Sequence, residues 1–193
     1  MKDAILRKAR ESAEVKEVFF RAEADRIEAL ARVMAAAFER GGRLWVMGNG
    51  GGATDAQHVA VEFCHPILAK RRPLPAIALT TDPALLTAIA NDRDFARVFG
   101  DQLRTHARRG DMALALSTSG QSPNLVHALE VADELGLLTI AFTGKDGGRL
   151  ADLAEHAFVV PSFSIHRIQE THVALYHVLW DLVHLALGEE DVV

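Results

Sequence analysis

The sequence predicts a three-layer α/β/α fold on a five-stranded parallel sheet, with N-terminal helices and a long C-terminal helix, and three observations predict it. From Arg43 onward, five short apolar runs alternate with stretches of helical period. The runs are apolar at consecutive rather than alternate positions, which is the pattern of strands covered on both faces. Loops rich in glycine, hydroxyl or acidic groups follow the first four runs, where an open parallel sheet gathers its ligands.

The elements follow in order. Ile27, Leu30, Met34 and Phe38 recur at helical spacing, and Gly41-Gly42 supplies a stop. A charged segment precedes them with Ile5, Leu6, Val15, Val18, Phe19 and Phe20 as its apolar contacts, so two helices joined near Phe20 to Ala24 are expected. These helices stand outside the α/β alternation, and a second subunit is the natural cover for their apolar stripe. Strands are expected at 43–48, 76–80, 112–117, 137–143 and 156–161, with helices over 53–63, 82–90, 94–107, 122–136 and 147–154. A closing helix runs from Ile165 to Leu187. The 193 residues read as one domain, with 1–40 an oligomerisation element and 43–187 the α/β core.

Composition narrows the function. Hydrophobic residues make up 49% and charged residues 24%, a globular balance. No apolar run is long enough for a membrane span, and Met1-Lys2-Asp3-Ala4 opens a charged segment rather than a signal peptide, so a cytoplasmic protein is expected. A net charge of -5 argues against nucleic acid and anionic membranes as partners. Lys70-Arg71-Arg72, beside Pro73 and Pro75, reads as a solvated basic loop, and the single cysteine, Cys64, as a buried thiol.

Two loops could hold an anion. "STSGQSPN" gives hydroxyls at Ser117, Thr118 and Ser119, a glycine for the turn, then Ser122 as N-cap with Pro123 at the first helical position. Hydroxyls and free N–H groups at a helix N-terminus bind phosphate without a lysine. "GNGGGA", with Asn49, Gly50 and Gly51 at its centre, satisfies the alanine form of the dinucleotide fingerprint. The acidic residue expected about twenty positions on is missing, and no Gly-Lys-Ser/Thr follows, so the glycines more simply let backbone amides approach a small ligand.

His58 and Glu62 stand four apart and share one helix face, as Gln169 and His177 do at eight apart, with His172 between them. A carboxylate and a histidine across a substrate suit proton abstraction beside a carbonyl, with the phosphate grip fixing the distance. Two histidines, a carboxylate and an amide oxygen equally suit a divalent metal such as zinc. Spacing does not separate these.

Together, "GNGG…DAQH…E", Asn91-Asp92, "STSGQS" and "RIQETH…H" resemble the phosphoheptose isomerases of the SIS domain superfamily over nearly the whole chain. The resemblance implies the SIS fold and conversion of D-sedoheptulose 7-phosphate to D-glycero-D-manno-heptose 7-phosphate, the first step towards nucleotide-activated heptose. It implies Glu62 as base and His177 as its acid–base partner. It also implies a zinc site at His58, Glu62, Gln169 and His177. Substrate contacts carry over to Asn49, Gly50, Gly51, Glu62, Asn91, Asp92, Ser117, Thr118, Ser119, Ser122 and Gln169, and the family forms a homotetramer through its N-terminal helices. A related group acts instead as an adaptor of the replication initiator and lacks the carboxylate matching Glu62, which this chain retains. Two positions depart from the family pattern: Gly52 replaces a frequent serine, and His166 replaces a carboxylate ahead of "RIQE" and bears on recognition of the sugar hydroxyls.

Overall fold

The computed structural model describes residues 1–67 and 71–191. The first helix, α1, is continuous over Lys2–Glu39, where a break near Phe20 to Ala24 was expected. No glycine or proline interrupts it, and pairs at helical spacing, Arg21 with Glu17 and Arg26 with Glu23, run straight across the expected joint. Only its second half is well covered: Phe19, Ile27, Leu30, Met34 and Phe38 are buried, while Ile5, Leu6 and Val18 are exposed.

Five parallel strands follow as expected: β1 (Leu44–Gly48), β2 (Ala76–Ala78), β3 (Met112–Leu116), β4 (Leu138–Gly144) and β5 (His156–Val160), in the spatial order β2-β1-β3-β4-β5. The edge strand β2 is shorter than its apolar run, and its Ile77 faces outward because no neighbour covers that side. Helices α2 (Gly51–Cys64) and α7 (Ile165–Ala186) join α1 on one face of the sheet. The other face carries α3 (Pro83–Asp92), α4 (Gly100–His106), α5 (Pro123–Glu134) and α6 (Gly148–Leu153). Side-chain alternation splits each strand between the two layers: Leu44 and Val46 pack under the first group, Trp45 and Met47 under the second.

Strand order reverses between β1 and β3, whose pairing runs from Leu44↔Met112 to Gly48↔Leu116. A crevice opens at such a point beyond the carboxyl ends of the strands, and here the two loops singled out above face each other across it.

Two expectations away from the crevice are corrected. Arg71 is buried, not solvated: its guanidinium lies 4.5 Å from the centre of the Trp180 ring and pairs with Asp181, so packing and charge together hold it against α7. Lys70 lies outside the described residues. Cys64 is an exposed residue rather than a buried one, with its thiol donating to the Ala76 carbonyl at 3.0 Å. Among the described residues, no helix is long and apolar enough to cross a membrane.

Candidate active site

β1 ends at Gly48 and α2 begins at Gly51, so the connection is two residues long. Gly50 takes φ +55°, which other residues rarely adopt. Gly51 permits a close approach by α7, since a Cβ there would stand 2.4 Å from Gln169 Nε2. The Asn49 and Asn124 amides exchange two hydrogen bonds, at 2.9 and 2.8 Å, and tie this loop to the first turn of α5.

Across the crevice, Ser117 Oγ accepts from Gly120 N at 3.1 Å and Ser119 Oγ from Gln121 N at 3.3 Å. These bonds shape the turn and leave both hydroxyl protons free to donate. Ser122 holds the N-cap position of α5 as expected, yet its side chain makes no capping bond, so that hydroxyl also stays available. Ser117, Thr118, Ser119 and Ser122 line a cavity of about 130 Å³ together with Asn49, Asp55, Gln169 and His172. That is well below the roughly 300–1,000 Å³ of a whole small-molecule site and suits one end of a ligand. Hydroxyl donors and the positive end of the α5 dipole suit it to a phosphoryl group, which makes it the candidate phosphoryl cavity.

His172 is 2% exposed and its Nε2–H donates to the Thr143 carbonyl at 3.0 Å. Burial drives its pKa from 6.5 down to about 4, against the smaller opposing pull of that bond. The imidazole is therefore neutral in the folded protein. Between those two values the unfolded chain binds the extra proton, so the stability this group contributes is complete above pH 6.5 and drains away as pH falls towards 4. The loss amounts to on the order of 3 kcal/mol, and denaturant titrations at pH 7 and near pH 4 should register it. His172→Gln should flatten that part of the pH dependence; an unchanged slope would show that another group carries it.

The residues expected to act as base and acid stand further along the same two helices. His58 Nε2 is 3.1 Å from Glu62 Oε1, His177 Nε2 is 3.4 Å from His58 Nε2, and His177 Nε2 is 4.0 Å from Glu62 Oε1. The Glu62 side chain is 24% exposed and the two imidazoles are about half-exposed, so the group opens to solvent. On α2, seven residues separate Asp55 in the cavity from Glu62; on α7, eight separate Gln169 from His177. Both spans place the group about 10–12 Å from the phosphoryl cavity.

These three residues pass a test for a metal. Their ligand atoms lie within 4.8 Å of one another. A tetrahedral ion about 2.0–2.1 Å from each donor would hold the donors about 3.3–3.4 Å apart, inside the observed range. Gln169, the fourth expected ligand, stands in the phosphoryl cavity against Gly51.

Asn91 and Asp92 lie elsewhere. Asn91 donates to Asp92 at 2.7 Å, and Asp92 lines a separate cavity of about 410 Å³ beside Arg93, Arg97 and Asp101. That cavity is larger but its cations are engaged: Arg93 and Arg97 pair with Asp101, and Arg104 with Glu134. Burial would raise the Asp101 carboxyl, but hydrogen bonds and charge from Arg97 and Arg93 outweigh it and hold its pKa below the ordinary value.

Three residues escaped the sequence reading. Asn124 anchors Asn49, and nothing in its helix-start position signals that. Asp55 precedes His58 by three residues and Glu62 by seven, so helical periodicity alone could have placed it on the same stripe. Burial raises its carboxyl pKa, with His58 pulling the other way. Tyr176 sends its hydroxyl to His58 Nδ1 at 2.8 Å, and burial, then the carboxylates of Asp55 and Glu62, push its pKa upward. An aromatic at a buried helical position reads as core from sequence.

Residues 9–144 match the SIS domain family. The chain is 46% identical over 189 residues to a phosphoheptose isomerase of Thermodesulfovibrio yellowstonii, covering 98% of this chain and 94% of that one. Among solved structures, a phosphoheptose isomerase from Neisseria gonorrhoeae superposes with TM-score 0.88 at 35% identity, covering 94% of this chain and 97% of the other. One from Francisella tularensis gives 0.90 at 34% identity, with 95% and 97% covered.

Proposed function

The chain belongs to the SIS domain family, among its phosphoheptose isomerases, and on that premise we propose that it converts D-sedoheptulose 7-phosphate to D-glycero-D-manno-heptose 7-phosphate. It is an isomerase acting on a sugar phosphate, and its product feeds nucleotide-activated heptose. The relatives favour this over the adaptor reading.

The observation that carries the chemistry is the spacing: a hydroxyl-lined cavity and a carboxylate–imidazole group lie about two helical turns apart on the same pair of helices. A seven-carbon sugar held by its 7-phosphate can then present its C1–C2 end to Glu62. Glu62 takes the proton from the carbon beside the carbonyl, and His177 exchanges protons with the neighbouring oxygens, giving an enediolate that is reprotonated on the adjacent carbon. Ser117, Thr118, Ser119 and Ser122 grip the phosphate, while Asn49, Gly50, Gly51 and Gln169 hold the sugar. Asn91 and Asp92 are carried over as substrate contacts from the resemblance alone.

His58, Glu62 and His177 would hold zinc, while Gln169, the fourth ligand expected from the resemblance, stands about two helical turns away beside Gly51. A bound ion would polarise the substrate carbonyl. The exposed apolar residues Ile5, Leu6 and Val18 on α1 support assembly into a homotetramer through this helix.

The test is an assay of the purified protein with sedoheptulose 7-phosphate, before and after chelation. Appearance of the aldose 7-phosphate is expected, and loss of rate on chelation with recovery on added zinc would assign the ion a role. Absence of turnover under both conditions would reject the isomerase.

A further inference from the structure

We propose that the Tyr176 hydroxyl is the outer partner that holds the His58 ring and satisfies its Nδ1 in either tautomer, so that Nε2 can meet Glu62 as a hydrogen-bond donor or a cation as a lone pair. The inference rests on reading His58, Glu62 and His177 as the reactive group of the isomerase. It begins from a hydrogen bond that neither the proton transfer nor the ligand set requires.

Tyr176 Oη lies 2.8 Å from His58 Nδ1, on the side of the ring away from Glu62. The tyrosine is 1% exposed, and its ring meets those of His58 and His177 with centroids 5.2 and 4.7 Å away. Its hydroxyl is thus held in place by packing and points at one ring nitrogen.

A phenol both donates and accepts, whereas each nitrogen of a neutral imidazole does one or the other. When Tyr176 donates to Nδ1, the His58 proton sits on Nε2 and points at the Glu62 carboxylate, 3.1 Å away. Tyr176, His58 and Glu62 are then each satisfied, with His177 Nε2 at a longer 3.4 Å from His58 Nε2. The opposite assignment would aim the Nε2 lone pair at a carboxylate, lone pair against lone pair. Metal-free protein should therefore hold His58 as the Nε2–H tautomer.

A cation reverses the demand, because ligation at Nε2 needs that nitrogen unprotonated and sends the proton to Nδ1. Tyr176 then turns from donor to acceptor without moving its ring. One hydroxyl supports both states of the site, as an outer partner that orients a ligating histidine. Tyr176 is in this sense a positioning residue.

Tyr176→Phe removes the hydroxyl and keeps the ring. Nitrogen and carbon NMR of the imidazoles in metal-free protein should report the Nε2–H form of His58 in the wild type, and in the variant a His58 Nδ1 resonance shifted by loss of its hydrogen-bond donor. Zinc affinity, measured by competition with a chelator, should fall about 10- to 100-fold in the variant. An Nδ1–H form of His58 in metal-free wild type would overturn the proposal before any substitution is made. So would identical imidazole spectra and zinc affinity in a folded Tyr176→Phe. Should the wild type bind no zinc, the ligand assignment of the cluster fails, and the His58 Nδ1 resonance still decides the role of Tyr176.

Discussion

Glu62→Gln is expected to reduce isomerisation of sedoheptulose 7-phosphate by about 10²–10⁴-fold, the contribution of a positioned general base, while the protein stays folded. The substitution keeps the length of the side chain and an amide oxygen that can accept from His58 Nε2, now 3.1 Å from the carboxylate. It removes the negative charge, and with it both the capacity to take a proton and an anionic donor of the proposed metal set, so metal content is measured on the same preparation. With 24% of the side chain exposed, the amide also meets water rather than an apolar wall, so melting should change little. The hydroxyls proposed to bind the phosphate stand about two helical turns away, and the KM for substrate should therefore move less than kcat. Unimpaired turnover by this variant would remove Glu62 from the chemistry.

His177→Gln is expected to lower kcat by about 10²-fold or more. His177 Nε2 stands 4.0 Å from Glu62 Oε1 and 3.4 Å from His58 Nε2, on the opposing helix, so it approaches a bound sugar from a different direction than the base does. Glutamine can still hydrogen-bond there, yet it cannot exchange protons with substrate oxygens. The same residue belongs to the metal set, so rate and metal content must be measured on one preparation. A variant that loses zinc and keeps its rate would contradict the acid–base role and leave His177 as a ligand only.

The sequence made the α/β core legible because its signal is local. Runs such as Met112 to Leu116 are apolar at consecutive positions and end in loops that cannot continue a strand, and the closing helix ends within a residue of its expected stop. The joint expected near Phe20 to Ala24 does not form, since Arg21, Ala22, Glu23 and Ala24 are all compatible with helix. The burial of Arg71 was invisible because its partners, Trp180 and Asp181, lie more than a hundred residues on.

Within the site, His58, Glu62 and His177 were placed by helical spacing and come together as expected. Gln169 shares their helix pair but stands with the phosphoryl cavity against Gly51, a contact that depends on how α7 crosses the start of α2. Asn91 and Asp92 came from the resemblance alone, and in a single chain Asp92 lines a different cavity. Asn124 and Tyr176 act through hydrogen bonds across 75 and 118 residues of sequence, which no local pattern encodes.

The proton's path can be followed directly by running the reaction in D₂O and reading the deuterium content of the aldose 7-phosphate at C2 after many turnovers. A carboxylate that lifts the proton and returns it through an enediolate trades it with solvent, so deuterium should accumulate at C2 in the product made by the wild type. Product that stays free of deuterium at C2 through repeated turnover would mean the hydrogen crosses between the carbons without visiting a base, and the role given to Glu62 would fall.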